Sequence, residues 1–417
     1  MNKITAPKGT RDILPDEIYK WQYAEKIFAQ VCDLFAYREI RIPTFESTEV
    51  FQRGVGDTTD VVQKEMYTFL DKGGRSISLR PEGTAGVARS YIENGMGSIP
   101  APVRLYYNIT AFRYENVQKG RYREFHQLGL EAFGSYGPEI DAEIISLLSF
   151  YFNKMGLKST KIKINSIGCP SCRKTYDILL CDYLRPHLDS MCSTCKERFD
   201  KNPLRIIDCK EARCKVITMD APALLDNICE ECSTHFAALE ENLKTLGISY
   251  EIDKRIVRGL DYYTKTVFEF VSEHVGTQGT ICGGGRYDGL IEEFGGVKTP
   301  GIGFALGLER LLMEIDSQEI VIDKPDNSII YFANLGQSGA DLAKVLCMNF
   351  RSRGIKAETD LMGRSLKAQM KYASKTGFRY VVVLGEEEIS AGKVKLKNMA
   401  EGTEQEILIS DMYCMEF

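Results

Sequence analysis

Phe112-Arg113-Tyr114-Glu115 and Glu124-Phe125-His126-Gln127-Leu128-Gly129-Leu130-Glu131 flank a stretch, Asn116 to Arg123, rich in Lys and Arg. Two strands joined by such a loop bring Arg113 and Phe125 together across the pair, one to hold a phosphate and the other to stack on a base. A nucleotide fits between them. At Gly301-Ile-Gly303-Phe-Ala-Leu-Gly307-Leu-Glu309-Arg310, three glycines thin a strand-to-helix passage, so that backbone approaches a ligand closely just before an arginine. As a dinucleotide fingerprint this spacing is weak, because no acidic residue follows in a βαβ context.

Two further groups carry chemistry of other kinds. Nine of the 13 cysteines (169, 172, 181, 192, 195, 209, 214, 229, 232) crowd one segment, as Cys169-x2-Cys172, Cys192-x2-Cys195, Cys229-x2-Cys232 and Cys209-x4-Cys214 around the single Cys181. Two such pairs make a tetrahedral thiolate site for structural Zn2+, and four pairs suffice for two. Reduced thiols packed in a small helical core are the other expectation for the same residues. Residues 344 to 379 hold nine basic side chains against Glu358 and Asp360, a local +7. Arg364, Lys367, Lys371 and Lys375 recur there at helical spacing, with Leu366, Met370 and Ala373 opposite, a pattern suited to RNA or to a plain solvated face.

The elements that must position these groups follow from periodicity. Trp21 to Tyr37 reads as an amphipathic helix with Ile27, Phe28, Val31, Leu34 and Phe35 on its apolar side. Glu39 to Phe45 alternates like a strand, with Pro43 placing it at an edge or an interface. Strands are expected at Arg75 to Leu79, Val103 to Tyr107, Ala111 to Tyr114, Phe125 to Phe133, Val257 to Phe270 and Thr280 to Arg286, and helices at Glu139 to Lys154 and Leu306 to Ile315. Strands joined mainly by turns favour a large antiparallel sheet. The Cys-rich segment, 168–235, interrupts it as an insertion, and the strand pattern resumes at Tyr250. After a linker at Pro325 and Asp326 come strand 328–334, helix 338–352, strand 356–360, helix 364–376 and strand 380–384, a small α/β domain. The expected domains are therefore 1–325 and 326–417.

With 53 basic and 58 acidic residues among 417, the chain is mildly acidic, which excludes a wholesale cationic coat and makes any polyanion partner meet a local patch. A composition of 44% hydrophobic and 27% charged residues excludes disorder. There is no apolar leader and no membrane-length apolar run, so a cytoplasmic protein with free or metal-bound thiols is expected.

Taken in order, the Pro43 segment, the Arg113 to Glu131 pair and the Gly301 to Arg310 passage resemble motifs 1, 2 and 3 of class II aminoacyl-tRNA synthetases. Lys8-Gly-Thr-Arg-Asp12, Leu79-Arg-Pro-Glu-Gly-Thr84, Arg258-Gly-Leu-Asp-Tyr-Tyr263-Thr and Cys282-Gly-Gly-Gly-Arg-Tyr287 sharpen this into a resemblance to the histidyl-tRNA synthetase family, from Lys8 into the C-terminal domain. The resemblance implies an α/β and α+β multidomain chain: a class II antiparallel-sheet catalytic domain, a Cys-rich insertion where the family varies, and a small α/β anticodon-binding domain. It implies a homodimer through the Pro43 strand, and ATP-dependent activation of L-histidine to histidyl-adenylate followed by transfer to the 3′ end of tRNA(His).

By the same resemblance, Glu82, Gly83 and Thr84 form the ammonium site. Glu131, Gln127, Tyr262, Tyr263 and Tyr287 form the rest of the histidine pocket. Arg113 and Arg258 meet the α-phosphate as the catalytic arginines, and Arg121 and Arg310 meet the β/γ end of ATP with Mg2+. Phe125 stacks on adenine and Glu115 contacts it. Gln118, Lys119 and Arg123 face the acceptor end of tRNA, and Lys367 and Lys371 its anticodon arm. The family also has a catalytically inactive paralogue, a histidine-sensing regulatory subunit of ATP phosphoribosyltransferase. Intact Arg113, Arg258 and Arg310, the basic loop and the full C-terminal domain separate this chain from it. A zinc-ribbon nucleic-acid binder would explain only the insertion.

Overall fold

The computed structural model describes residues 3–56, 59–272, 279–325 and 329–415, and the chain divides into two compact units, Met1–Ile322 and Asp323–Phe417. Asp326 and the first residue of the strand expected at 328–334 lie outside the described residues.

The larger unit is built on strands β1 (Arg38–Glu39), β2 (Phe45–Ser47), β3 (Thr68–Leu70), β4 (Ser76–Leu79), β5 (Val103–Phe112), β6 (Glu124–Phe133), β7 (Lys161–Ser166), β8 (Glu251–Ile252), β9 (Thr264–Val271), β10 (Thr280–Arg286) and β11 (Gly301–Gly307). Among the described residues, eight of these form one sheet in the order β1-β5-β6-β11-β10-β9-β7-β8, antiparallel except at its two margins. Strands β2, β4 and β3 form a small sheet of their own.

Period-two alternation gives the large sheet two different faces. Leu128, Leu130 and Ala132 of β6, Ile302, Phe304 and Leu306 of β11, and Phe268 and Phe270 of β9 enter one apolar core. Helices Ile18–Leu34, Pro138–Lys154, Glu230–Thr245 and Leu308–Ser317 complete that core. Truncating an aromatic such as Phe304 there to Ala would cost about 3–5 kcal/mol. The intervening residues, Phe125, Gln127, Gly129 and Glu131 on β6 and Gly301, Gly303, Ala305 and Gly307 on β11, take the opposite face.

Several expected boundaries move. The first helix buries Trp21, Ala24, Phe28, Val31 and Cys32, while Leu34 is left exposed. Glu39 to Phe45 is not one strand. It breaks into β1 and β2, because Pro43 offers no N–H and the Arg80 guanidinium takes the carbonyls of Ile42 and Pro43 at 2.7 and 3.0 Å. Conversely, the strands expected at 103–107 and 111–114 are one: Asn108, Ile109 and Thr110 keep their register with Leu128, Gln127 and His126. Val257 to Tyr263 is not part of a strand, and β9 begins only at Thr264. The insertion is helical, with Pro170–Leu184, Ser193–Lys201 and Ala212–Thr218 as its α-helices.

The smaller unit has β12 (Ile330–Asn334), β13 (Ala357–Thr359), β14 (Tyr380–Leu384), β15 (Lys393–Asn398) and β16 (Glu404–Leu408), in the order β13-β12-β14-β15-β16. The first three are parallel, and helices Gly336–Ser352 and Leu366–Thr376 lie between them in sequence, as the alternating pattern predicts. The closing β15–β16 hairpin was not expected.

Candidate active site

A cavity of about 1170 Å³ opens on the polar face of the large sheet. Most of the residues singled out in the sequence line it: Glu82, Thr84, Arg113, Glu115, Arg121, Phe125, Gln127, Arg258, Tyr262, Tyr263 and Arg310. Phe125 and Gln127 arrive from β6 by alternation. Arg113 follows the end of β5, and its guanidinium lies 5.4 Å from the Phe125 ring centre while its Nε donates to the Pro81 carbonyl at 2.8 Å.

Glycines make the room. A Cβ at Gly303 would overlap the Glu131 carboxylate and the Leu130 carbonyl, one at Gly283 the Arg258 guanidinium, and one at Gly301 the Tyr287 ring. The glycine-rich runs on β10 and β11 are thus recesses in the sheet for particular side chains, and no left-handed backbone is needed at these three positions.

Glu131 and Tyr287 stand one layer behind the cavity wall. The Glu131 carboxylate is fully buried and accepts from the Thr84 hydroxyl at 2.6 Å, the Tyr107 phenol at 3.1 Å and the Tyr287 phenol. Burial pushes its pKa up to about 8, with these three donors pulling the other way. Glu82 accepts the N–H groups of Thr84 and Ala85 at 2.7 and 2.8 Å at the start of helix Thr84–Glu93, yet burial still leaves its pKa raised. Gly83 sits where a Cβ would meet Tyr107, so it spaces this turn from the sheet. Tyr262, Tyr263 and Tyr287 form an aromatic wall, with ring centres 4.7 and 5.5 Å apart in successive pairs along it.

The cations gather on the other side. Arg258 pairs with Glu269, and the Tyr263 ring lies 5.6 Å from its guanidinium. Burial opposes its charge, but Tyr263 and Glu269 outweigh burial and hold its pKa above the ordinary arginine value. Arg310 donates to the carbonyls of Thr280 at 2.7 Å and Gly120 at 3.4 Å. Its pKa is lowered, by burial first and then by repulsion from Arg121 and Arg113. Guanidiniums crowded this way are stabilised by a polyanion placed among them. Three buried atoms of cavity-lining residues, Gln127 Oε1, Arg205 Nε and Arg258 Nε, have no hydrogen-bond partner among the described residues.

Sequence reasoning missed Glu269, Tyr107 and Glu309. Glu269 shares its face of β9 with Val267, which alternation shows, but its pairing with Arg258 is not visible in the sequence. Tyr107 is an alternate position of β5. Glu309 lines the cavity and accepts the His126 backbone N–H at 2.9 Å. The expected tRNA contacts are not gathered with the rest. Gln118 and Lys119 are exposed in the loop, and Arg123 lies 3.6 Å from the Tyr114 ring centre, outside the cavity lining. In the smaller unit, Lys367, Lys371 and Lys375 are exposed on helix Leu366–Thr376, whose Leu366, Met370 and Ala373 turn inward. Arg364 does not belong to that helical row. It precedes the helix, is held by Asp360 at 2.9 Å and lies 4.2 Å from the Tyr372 ring centre.

An antiparallel sheet carrying a phosphate-suited arginine cluster on one half of a cavity and a carboxylate–phenol pocket on the other defines a class II aminoacyl-tRNA synthetase. The histidyl-tRNA synthetase family model matches residues 9–170 and 210–311, and an anticodon binding domain model matches 329–413. The histidine–tRNA ligase of Acetivibrio thermocellus is 62% identical over 407 residues, covering 98% of both chains, and that of Caldicellulosiruptor saccharolyticus is 54% identical over 410. The crystal structure of apo Staphylococcus aureus histidyl-tRNA synthetase matches with a TM-score of 0.84 at 38% identity, covering 99% of each chain. A Bacillus halodurans chain described as an ATP phosphoribosyltransferase regulatory subunit/histidyl-tRNA synthetase shares the fold at 24% identity and a TM-score of 0.66. The chain belongs to the histidyl-tRNA synthetase family. The regulatory-subunit alternative is not favoured.

Proposed function

We propose that the chain activates L-histidine with ATP and transfers it to the 3′ end of tRNA(His), with the cavity as its active site. The observation that carries this reading is one cavity joining two chemistries: Glu82 with the Tyr262 and Tyr263 phenols at one end, backed by Glu131 through Thr84, and converging guanidiniums at the other.

In this reading the histidine ammonium meets Glu82 and Thr84, and its imidazole meets Glu131 through the Tyr262, Tyr263 and Tyr287 wall, with Gln127 Oε1 accepting a substrate N–H. The substrate carboxylate oxygen then bonds to the α-phosphorus of ATP as the bond from that phosphorus to the pyrophosphate oxygen breaks. Arg113 and Arg258 stabilise the charge that builds on the α-phosphate, and Arg121 and Arg310 hold the leaving pyrophosphate. Phe125 stacks on adenine beside Glu115. A ribose hydroxyl of the tRNA end next attacks the histidyl carbonyl and AMP leaves. The loop of exposed Gln118 and Lys119 and half-buried Arg123 serves that acceptor end, and Lys367 and Lys371 serve the anticodon arm.

Mg2+ fits the hard carboxylate oxygens of Glu115 and Glu309, which line the cavity beside Arg121 and Arg310; when bound with ATP it supplies further neutralisation of phosphate charge. A homodimer is supported by exposed Phe45, Phe69 and Leu70 on the small three-stranded sheet that follows Pro43. Among the described residues no helix is long and apolar enough to cross a membrane. A cytoplasmic location goes with the tRNA partner. Structural zinc in the insertion completes the set of expected ligands.

Pyrophosphate exchange into ATP should depend on histidine. Equal exchange with another amino acid, or none, would refute the assignment. Light scattering should give twice the chain mass.

A further inference from the structure

The family model leaves residues 171–209 unmatched, and five of the segment's cysteines fall within that gap. Eight cysteines of the segment gather into two separate tetrads, Cys169, Cys172, Cys229 and Cys232 in one and Cys192, Cys195, Cys209 and Cys214 in the other, each with all four sulfurs within 4.8 Å of one another. We propose that each tetrad binds one Zn2+, and that the inner centre, Cys192/Cys195/Cys209/Cys214, holds the cavity wall that carries Arg258.

Three observations support the metal. Four sulfurs at about 2.3 Å from a tetrahedral Zn2+ stand about 3.8 Å from one another, and the close pairs measure 3.6 Å for Cys169–Cys172, 3.9 Å for Cys172–Cys232 and 3.8 Å for Cys192–Cys209. A disulfide needs about 2.05 Å. Backbone N–H groups already point at the sulfurs: Cys229 N–H to Cys172 Sγ at 3.1 Å, Cys195 N–H to Cys192 Sγ at 3.4 Å and Cys192 N–H to Cys214 Sγ at 3.3 Å. Such donors stabilise thiolate ligands. Finally, Gly168 takes a positive φ of 63° just before the outer tetrad, and a Cβ there would press on Cys172.

The two centres are nested along the chain. The outer one joins the exit of β7 to the start of helix Glu230–Thr245, residues 57 positions apart at Cys172 and Cys229, and so clasps the two ends of the insertion. The inner one closes the segment between them, in which helix Ser193–Lys201 leads to Asn202 and Arg205. Arg198 binds Asp60 at 2.6 Å, Asn202 donates to Asp261 at 2.8 Å, and Arg205 donates to the Arg258 carbonyl at 3.5 Å. Cys192, Arg198, Arg205 and Cys209 line the same cavity as Arg258. Binding of each ion exchanges thiol protons for metal bonds, leaving four thiolates on one Zn2+.

The role of the inner centre rests on the reading of Arg258 as the α-phosphate arginine, whereas the metal content does not, so the two are tested apart. Full-length protein purified anaerobically should contain two zinc ions per chain, and Co2+ exchanged for them should show the strong visible absorption of tetrahedral thiolate sites. One ion, or none, overturns the two-centre proposal. Cys209→Ser should lose one ion only, and Cys232→Ser the other only; loss of both from either variant overturns the separate pairing. With its outer ion retained as evidence of folding, Cys209→Ser should lower the maximal rate of histidine-dependent exchange by roughly tenfold or more, as expected for a displaced catalytic group, and leave the KM for histidine within about twofold. An unchanged rate overturns the positioning role while leaving the Arg258 reading intact.

Discussion

The cavity on the large sheet and the basic helix of the smaller unit both present positive charge, but they hold it in opposite ways. In the cavity, Arg258, Arg310 and Arg113 are each tied to a carbonyl or carboxylate and sit against aromatic rings or glycine recesses. On helix Leu366–Thr376, Lys367 and Lys371 are exposed, one turn apart on the same face. Fixed charges cost little reorganisation at the moment of reaction and suit a transition state. Mobile exposed charges suit a long polyanion whose counterions they displace. Substitutions in the first region should therefore act on rates and in the second on salt-dependent binding.

The largest loss is expected from Gly303→Ala. Its new Cβ meets both the Glu131 carboxylate and the Leu130 carbonyl, and backbone cannot move aside cheaply. Overpacking of about 1–3 kcal/mol should lower the melting temperature, and exchange should be undetectable. A variant with wild-type melting and exchange would show that the recess has no role.

Next is Glu131→Gln, which keeps the size but turns one carboxyl oxygen into an amide N–H2 among the Thr84, Tyr107 and Tyr287 hydroxyls. A buried donor or acceptor left unsatisfied costs about 1–3 kcal/mol, which should raise the KM for histidine roughly fivefold or more. It also carries a pH signature. The folded pKa near 8 lies above the ordinary 4.5, so between these values the native state binds the extra proton. Stability from this group is thus complete below about pH 4.5 and declines as pH rises to about 8. The Gln variant should lack that decline in melting temperature, and a parallel decline in both proteins would assign it to other groups.

The smallest effect on exchange, near none, is expected from Lys367→Glu with Lys371→Glu. That double variant should weaken tRNA binding and flatten the slope of log affinity against log salt by roughly two. Loss of exchange as well would break the contrast between the regions, and so would unchanged tRNA affinity.

What could be read from the sequence follows the same division. Side chains placed by strand alternation and short motifs, such as Phe125 and Arg310, were legible because period two and a glycine run survive without knowledge of partners, whereas Gln127 was reached only through the family resemblance. Tyr107 and Glu269 were not, since each takes its role from a residue on another strand or loop, Glu131 and Arg258 respectively. The Pro43 strand failed for a related reason: Arg80, 37 positions away, claims the carbonyl a ladder would have used. Cysteine spacing announced pairs, but only the fold joins Cys169 and Cys172 to Cys229 and Cys232.

The central claim is that the cavity's fixed arginines act on the charge that develops during adenylation. It is tested most directly by the kcat and KM for histidine of Arg258→Ala in pyrophosphate exchange. The account predicts a kcat lowered by about 10²–10³ with the histidine KM changed by no more than about threefold. A kcat near that of the unaltered protein, with the loss appearing in KM, would contradict it.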